Sequence, residues 1–157
     1  MAGQLFPDEN ENLRCFAEKR FRAGIVYSPS PIGHLLTRNI PEAEIYGPID
    51  IPLYHMTGTQ DKAPIGNFDY EHRLSIFENT THPEKYLKIL QGGDHMIYNG
   101  TRGKLSANTK RDLHEKLIKI TSLAFWESYL KENIAAKEWL SGSGVQAYLG
   151  KEACHKN

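Results

Sequence analysis

The sequence predicts an α/β fold of about three parallel strands with flanking helices and a long C-terminal helix, in one domain over residues 1–157. Three observations carry this. Short runs rich in β-branched and aromatic residues are bounded by prolines and glycines, which is the strand signal. The connections between them are too long for hairpins, and the runs are nearly continuous in apolar character, as in parallel strands buried on both faces. The last third, residues 106–157, carries helical periodicity instead.

Taken in order, the first twenty residues read as a helix end and a charged loop, with a short helix over residues 13–20. Arg22-Ala-Gly-Ile-Val-Tyr-Ser28 is the first strand, closed by Pro29 and Pro31. Residues 33–48 form a connection with one helical turn. Ile49-Asp-Ile-Pro-Leu-Tyr-His-Met-Thr57 is the second strand, with Pro52 near its start, where a missing N–H is tolerated. Gly58-Thr-Gln-Asp61 follows as a tight turn. Residues 62–82 read as polar and irregular, with turn formers at Pro64, Gly66 and Asn67. Glu84-Lys-Tyr-Leu-Lys-Ile-Leu90 is the third strand, ending in the glycine-rich turn Gln91-Gly-Gly-Asp-His95. Thr109-Lys-Arg-Asp112 has capping-box spacing. Leu113, Leu117, Ile120, Leu123, Ala124, Leu130 and Ile134 then recur as one buried helical face. Ser141-Gly-Ser-Gly144 breaks that helix.

Lysine plus arginine and aspartate plus glutamate both number 19, so the formal net charge is zero. No field steers the chain to nucleic acid or to an anionic membrane. No apolar run approaches the roughly 18 residues that span a bilayer, and the N-terminal residues lack the pattern of a signal peptide. Cys15 and Cys154, near opposite ends, read as free thiols. The histidines show no metal-binding spacing; His55, inside a strand, reads as a satisfied sheet histidine. Asn79-Thr-Thr81 fits a glycosylation acceptor, a tripeptide common by chance. Trp126 and Trp139 read as core or docking aromatics.

Two strand-terminal loops carry the chemistry. One ends in Asp61 and the other in His95. Active sites of open parallel sheets lie beyond the carboxyl ends of the strands, so adjacent strands bring these two side chains to one edge. A carboxylate there accepts the imidazole Nδ1–H, fixes the tautomer and stabilises the imidazolium formed in acyl transfer. Gly58, Gly92 and Gly93 supply sharp turns and positive φ. Asp94 reads as a turn residue rather than the acid. Ser28 and Ser30, at the end of the first strand, lie near this edge as an active-site loop or substitute nucleophiles.

Ile-Pro-Leu-Tyr-His-Met-Thr-Gly-Thr-Gln-Asp61 resembles the strand and acid turn of α/β-hydrolases, and Tyr-Leu-Lys-Ile-Leu-Gln-Gly-Gly-Asp-His95 their histidine turn. Phe21-Arg-Ala-Gly-Ile-Val-Tyr-Ser-Pro-Ser-Pro31 is similar to the strand after the nucleophile helix, and Met1-Ala-Gly-Gln to the tail of that helix. The resemblance covers most of the chain and is nearest to dienelactone-hydrolase-like esterases, close to platelet-activating-factor acetylhydrolases. It implies a partial α/β-hydrolase fold, the C-terminal half, with Asp61 and His95 as triad acid and base and no metal or organic cofactor. The family's serine sits in a G-x-S-x-G elbow. This chain has none, and the resemblance puts the elbow ahead of Met1. The expectation is a serine-esterase fragment that acts on small esters once a nucleophile half complements it. The alternative is a non-catalytic remnant or interaction module. A second copy or a complementary hydrolase half would bind along the exposed sheet edge.

Overall fold

The structure is a computed structural model and describes residues 2–10, 12–31, 40–63, 68–99 and 108–157. The chain opens on a two-stranded antiparallel ribbon, β1 (Leu5–Pro7) and β2 (Leu13–Cys15), where the sequence reading expected a helix tail and a helix over residues 13–20. Asp8 accounts for the difference. Its Oδ1 accepts from the backbone N–H groups of Asn10 (2.9 Å) and Asn12 (3.0 Å), and its Oδ2 accepts from Arg14 Nε (3.0 Å). An aspartate that bonds the backbone two residues on favours a turn over a helix.

The main sheet has the order β3 (Gly24–Tyr27), β4 (Leu53–Gln60), β5 (Lys85–Asp94), β6 (Ala153–Lys156). The first three are parallel, as expected. β6 is antiparallel to β5 and was not expected from a stretch read as helical. Both faces of the sheet are covered, so alternate side chains on β4 and β5 all find a core. Tyr54, Met56, Tyr86 and Leu90 pack with Leu117, Phe125 and Leu140 on one side. On the other side Leu53 joins Ile45, Tyr46 and Ile76, while Leu87 and Ile89 meet Phe77.

The first of these layers is α3 (Arg111–Leu130), α4 (Ile134–Ser141) and α5 (Ser143–Leu149); the second is α1 (Glu42–Tyr46) and α2 (Tyr70–Asn79). α2 corrects the irregular reading of residues 62–82. Arg73, Ile76, Phe77 and Thr80 are all buried, at helical spacing, and the arginine hides the apolar stripe from a count of hydrophobic residues. Pro64, Gly66 and Asn67 lie outside the described residues, as does His34. The expected capping box fails: Lys110 is the N-cap and makes no side-chain cap bond, while Asn108 Oδ1 accepts from Lys110 N at 2.9 Å. The buried face of α3 also differs from expectation. His114, Leu117, Ile118, Thr121, Ser122, Phe125, Ser128 and Tyr129 are buried, whereas Leu113, Ile120, Leu123, Leu130 and Ile134 are exposed. The helix expected to run from Leu113 to Ser141-Gly-Ser-Gly144 ends earlier, at Leu130: Glu132 has φ of 55°, and Asn133 Oδ1 accepts from Ala136 N at 3.1 Å to cap α4, while the glycine segment separates α4 from α5. Trp126 and Trp139 pack on the core from the side, and both cysteines are free and exposed.

Candidate active site

The two catalytic candidates meet, by strand geometry not read from the sequence. β4 runs through Gln60 and β5 through Asp94, so both glycine segments are strand rather than turn. Their register shifts between Gly58 and Gln60: Gly58 faces Leu90 but Gln60 faces Asp94. The extra residues bulge β5 at Gly92, which has φ of 78° and donates its N–H to Thr59 Oγ1 at 2.8 Å. A bulge beside a site re-aims the following side chain, here His95. Gly92 alone of the three glycines uses positive φ. Gly58 is required by space: a Cβ there would overlap the Gly93 backbone, and a Cβ on Gly93 would come within 3.3 Å of Gly58 Cα.

Asp61 is fully buried, and its Oδ1 lies 3.0 Å from His95 Nδ1. Thr57 Oγ1 donates to Oδ2 at 2.9 Å, and Ser28 Oγ donates to Oδ1 at 2.8 Å. Since Asp61 accepts, the ring hydrogen of His95 sits on Nδ1, a tautomer assigned from partners. Ser28 Oγ is also 2.8 Å from Nδ1. Its own proton goes to Asp61, so it shares the Nδ1–H. Among the described residues Nε2 of His95 has no hydrogen-bond partner, and the side chain is 34% exposed. The acid is thus enclosed and the base has one free, accessible nitrogen.

The arrangement rests on Arg73, which the sequence reading missed. Its side chain is 1% exposed, and Nη2 lies 3.2 Å from Asp61 Oδ1, an ion-pair contact without hydrogen-bond alignment. Nη1 donates to the carbonyls of Ser28 (2.9 Å) and Pro29 (3.0 Å), and Nε to that of Asp61 (3.3 Å). Phe68 covers the guanidinium, with the ring centre 5.0 Å from its carbon. Burial pulls Arg73 below its ordinary value, opposed by the Asp61 charge; a guanidinium stays protonated even so. The Tyr98 hydroxyl, buried without a hydrogen-bond partner among the described residues, is pushed well above its usual range by burial and then by Asp61.

Ser28 itself has φ of 49°. Left-handed backbone is uncommon outside glycine. It is held by its N–H on Met56 O (2.7 Å), its carbonyl on Arg73 and its hydroxyl on Asp61. Ser30 is exposed and does not join the cluster. Asp94, the rejected acid, caps the 3-10 turn His95–Tyr98 by accepting from Met96 N at 2.7 Å. His55 is buried but is not satisfied: neither ring nitrogen has a hydrogen-bond partner among the described residues, and the ring packs edge-on against Phe77. Among the described residues no three His, Cys, Asp or Glu side chains converge as metal ligands, and no helix is long and apolar enough to cross a membrane. No protein-family model matches this chain, and no curated protein matches it.

Proposed function

We propose that this chain carries the acid and histidine of a serine-hydrolase site of the α/β-hydrolase type, acting on ester substrates when a segment bearing the nucleophile complements it. One observation carries the reading: Asp61, enclosed and anchored, holds His95 through Nδ1 at 3.0 Å, while Nε2 has no hydrogen-bond partner among the described residues at the carboxyl edge of the sheet. In such a site a serine hydroxyl approaches Nε2 and attacks the ester carbonyl as His95 takes its proton. His95 then returns that proton to the leaving alkoxide, and Asp61 stabilises the transient imidazolium. Arg73 fixes the carboxylate without touching the reacting atoms.

The test is the tautomer. Nitrogen-15 NMR of His95 is expected to show an Nδ1-protonated neutral ring, and Asp61→Asn, whose amide can donate, is expected to shift population to the Nε2-protonated form. An Nε2-protonated ring in the parent chain overturns the reading.

A second reading makes Ser28 the nucleophile, favoured by its 2.8 Å contact with His95 Nδ1 and its strained φ. Against it, Ser28 shares the nitrogen that Asp61 occupies and gives its proton to the acid. Hydrolysis of p-nitrophenyl acetate separates the two. Equal near-background rates for the parent, His95→Ala and Ser28→Ala fit a site without its nucleophile. A substantial rate lost in both variants assigns the nucleophile to Ser28.

A further inference from the structure

The second apolar face of α3 has a pattern of its own. Leu113 (40% exposed), Ile120 (39%), Leu123 (55%) and Leu130 (52%) face solvent. These positions, with Lys116 and Glu127, form a heptad seam: 113, 120 and 127 on one row, 116, 123 and 130 on the other. A solvent-facing seam over about 25 Å of helix is a partner-binding feature rather than scattered surface leucines.

The order of residues along the seam selects the occupant. We propose that a second copy of this chain docks here, α3 against α3, antiparallel, about a two-fold axis at the level between Thr121 and Ser122. In that register Leu113 meets Leu130, Ile120 meets Leu123, and Lys116 meets Glu127, each twice by symmetry. Every apolar residue faces an apolar residue and the one cation faces the one anion. A parallel pairing in register sets Lys116 against Lys116 and Glu127 against Glu127, which like-charge repulsion disfavours. Such a self-complementary patch is what a closed two-fold interface requires. Glu127, 26% exposed, already holds Lys131, 70% exposed, at 2.6 Å, and a pair whose lysine stands in solvent holds the carboxylate weakly enough for it to bind a second cation. The seam lies opposite the buried face of α3, so docking leaves the Asp61–His95 site undisturbed.

Sedimentation equilibrium of the full chain tests this. The parent is expected to be a dimer. Lys116→Glu and Glu127→Lys are each expected to raise the dissociation constant roughly tenfold or more, and the two together to restore it. Leu123→Arg is expected to give a monomer with unchanged circular dichroism. Three results overturn the proposal. A parent monomeric at every concentration assigns the seam to another chain or segment. A dimer insensitive to Leu123→Arg forms elsewhere, with the open β3 edge the next surface to examine. Single charge reversals that weaken the dimer without mutual rescue exclude the antiparallel register.

Discussion

At the level of single residues, Asp61 combines full burial with four polar neighbours, Thr57, Ser28, His95 and Arg73. Arg73 is the neighbour that makes the burial tolerable. A carboxylate and a guanidinium removed from water together cost far less than either one alone. Removing one partner leaves the other as an uncompensated charge, and Arg73 also satisfies three carbonyls. Asp61→Ala and Arg73→Met are therefore each expected to lower unfolding free energy by about 3–5 kcal/mol in urea denaturation, with the double variant losing clearly less than the sum. Additive losses would show that the two do not act as a pair. Asp61 and His95 were legible in the sequence because chain order, strand ends and glycines agreed on them. Arg73 was not, because a lone cation in a polar stretch carries no sign of its destination. Its one trace is its position three residues before Ile76 and four before Phe77, on the stripe that α2 buries.

Among the elements, the β4–β5 pair shows how a glycine can matter through space rather than through φ. The backbones of Gly58 and Gly93 pass with no room for a Cβ, and the passage lies between the two strand ends that present Asp61 and His95. Gly58→Ala forces the strands apart, and the expected loss is about 1–3 kcal/mol, measured by thermal unfolding. Since His95 follows the bulge directly, the same substitution is expected to broaden the His95 Nδ1–H resonance. An unchanged resonance and midpoint would mean the strands absorb the extra carbon elsewhere. The parallel strands were legible to within a few residues, as their apolar runs are confined by prolines and turns. The two faces of α3 were not. Periodicity selected the stripe through Leu113, Ile120 and Leu123, whereas the sheet took the stripe containing His114, Thr121 and Ser128, whose polar atoms conceal it. β6 was hidden for a related reason: Ala153–Lys156 has one fully apolar side chain and pairs only because β5 offers an edge.

Over the whole molecule, β6 ties the C-terminal helices to the sheet through a histidine whose charged form burial disfavours. His155 Nδ1 lies 3.0 Å from the Tyr54 hydroxyl and Nε2 lies 3.0 Å from Leu140 O. The neutral ring accepts from the tyrosine while donating to the carbonyl, whereas a charged ring would donate to both oxygens. On the opposite face of the sheet His55 is enclosed with no partner for either nitrogen among the described residues. Burial lowers both rings from 6.5 to about 4. The unfolded chain therefore binds protons at pH values where the folded chain does not, and stability falls as pH drops from 6.5 towards 4. Two such groups give a slope of about 2.7 kcal/mol per pH unit through the middle of that window. Burial also drives Lys88, fully enclosed with its Nζ on Thr121 Oγ1, well below its ordinary 10.5, so its share of the loss begins as pH drops below that value. A domain holds roughly 5–15 kcal/mol in total, so acid unfolding is expected inside this window. Urea midpoints followed from pH 7 to 4.5 check it. His55→Leu is expected to remove about half of the histidine slope, and Lys88→Met to raise the midpoint throughout without altering the His55 share. A slope that His55→Leu leaves untouched would show that this ring takes up its proton while the fold is intact, and that the enclosing face of α2 opens to water before the sheet comes apart.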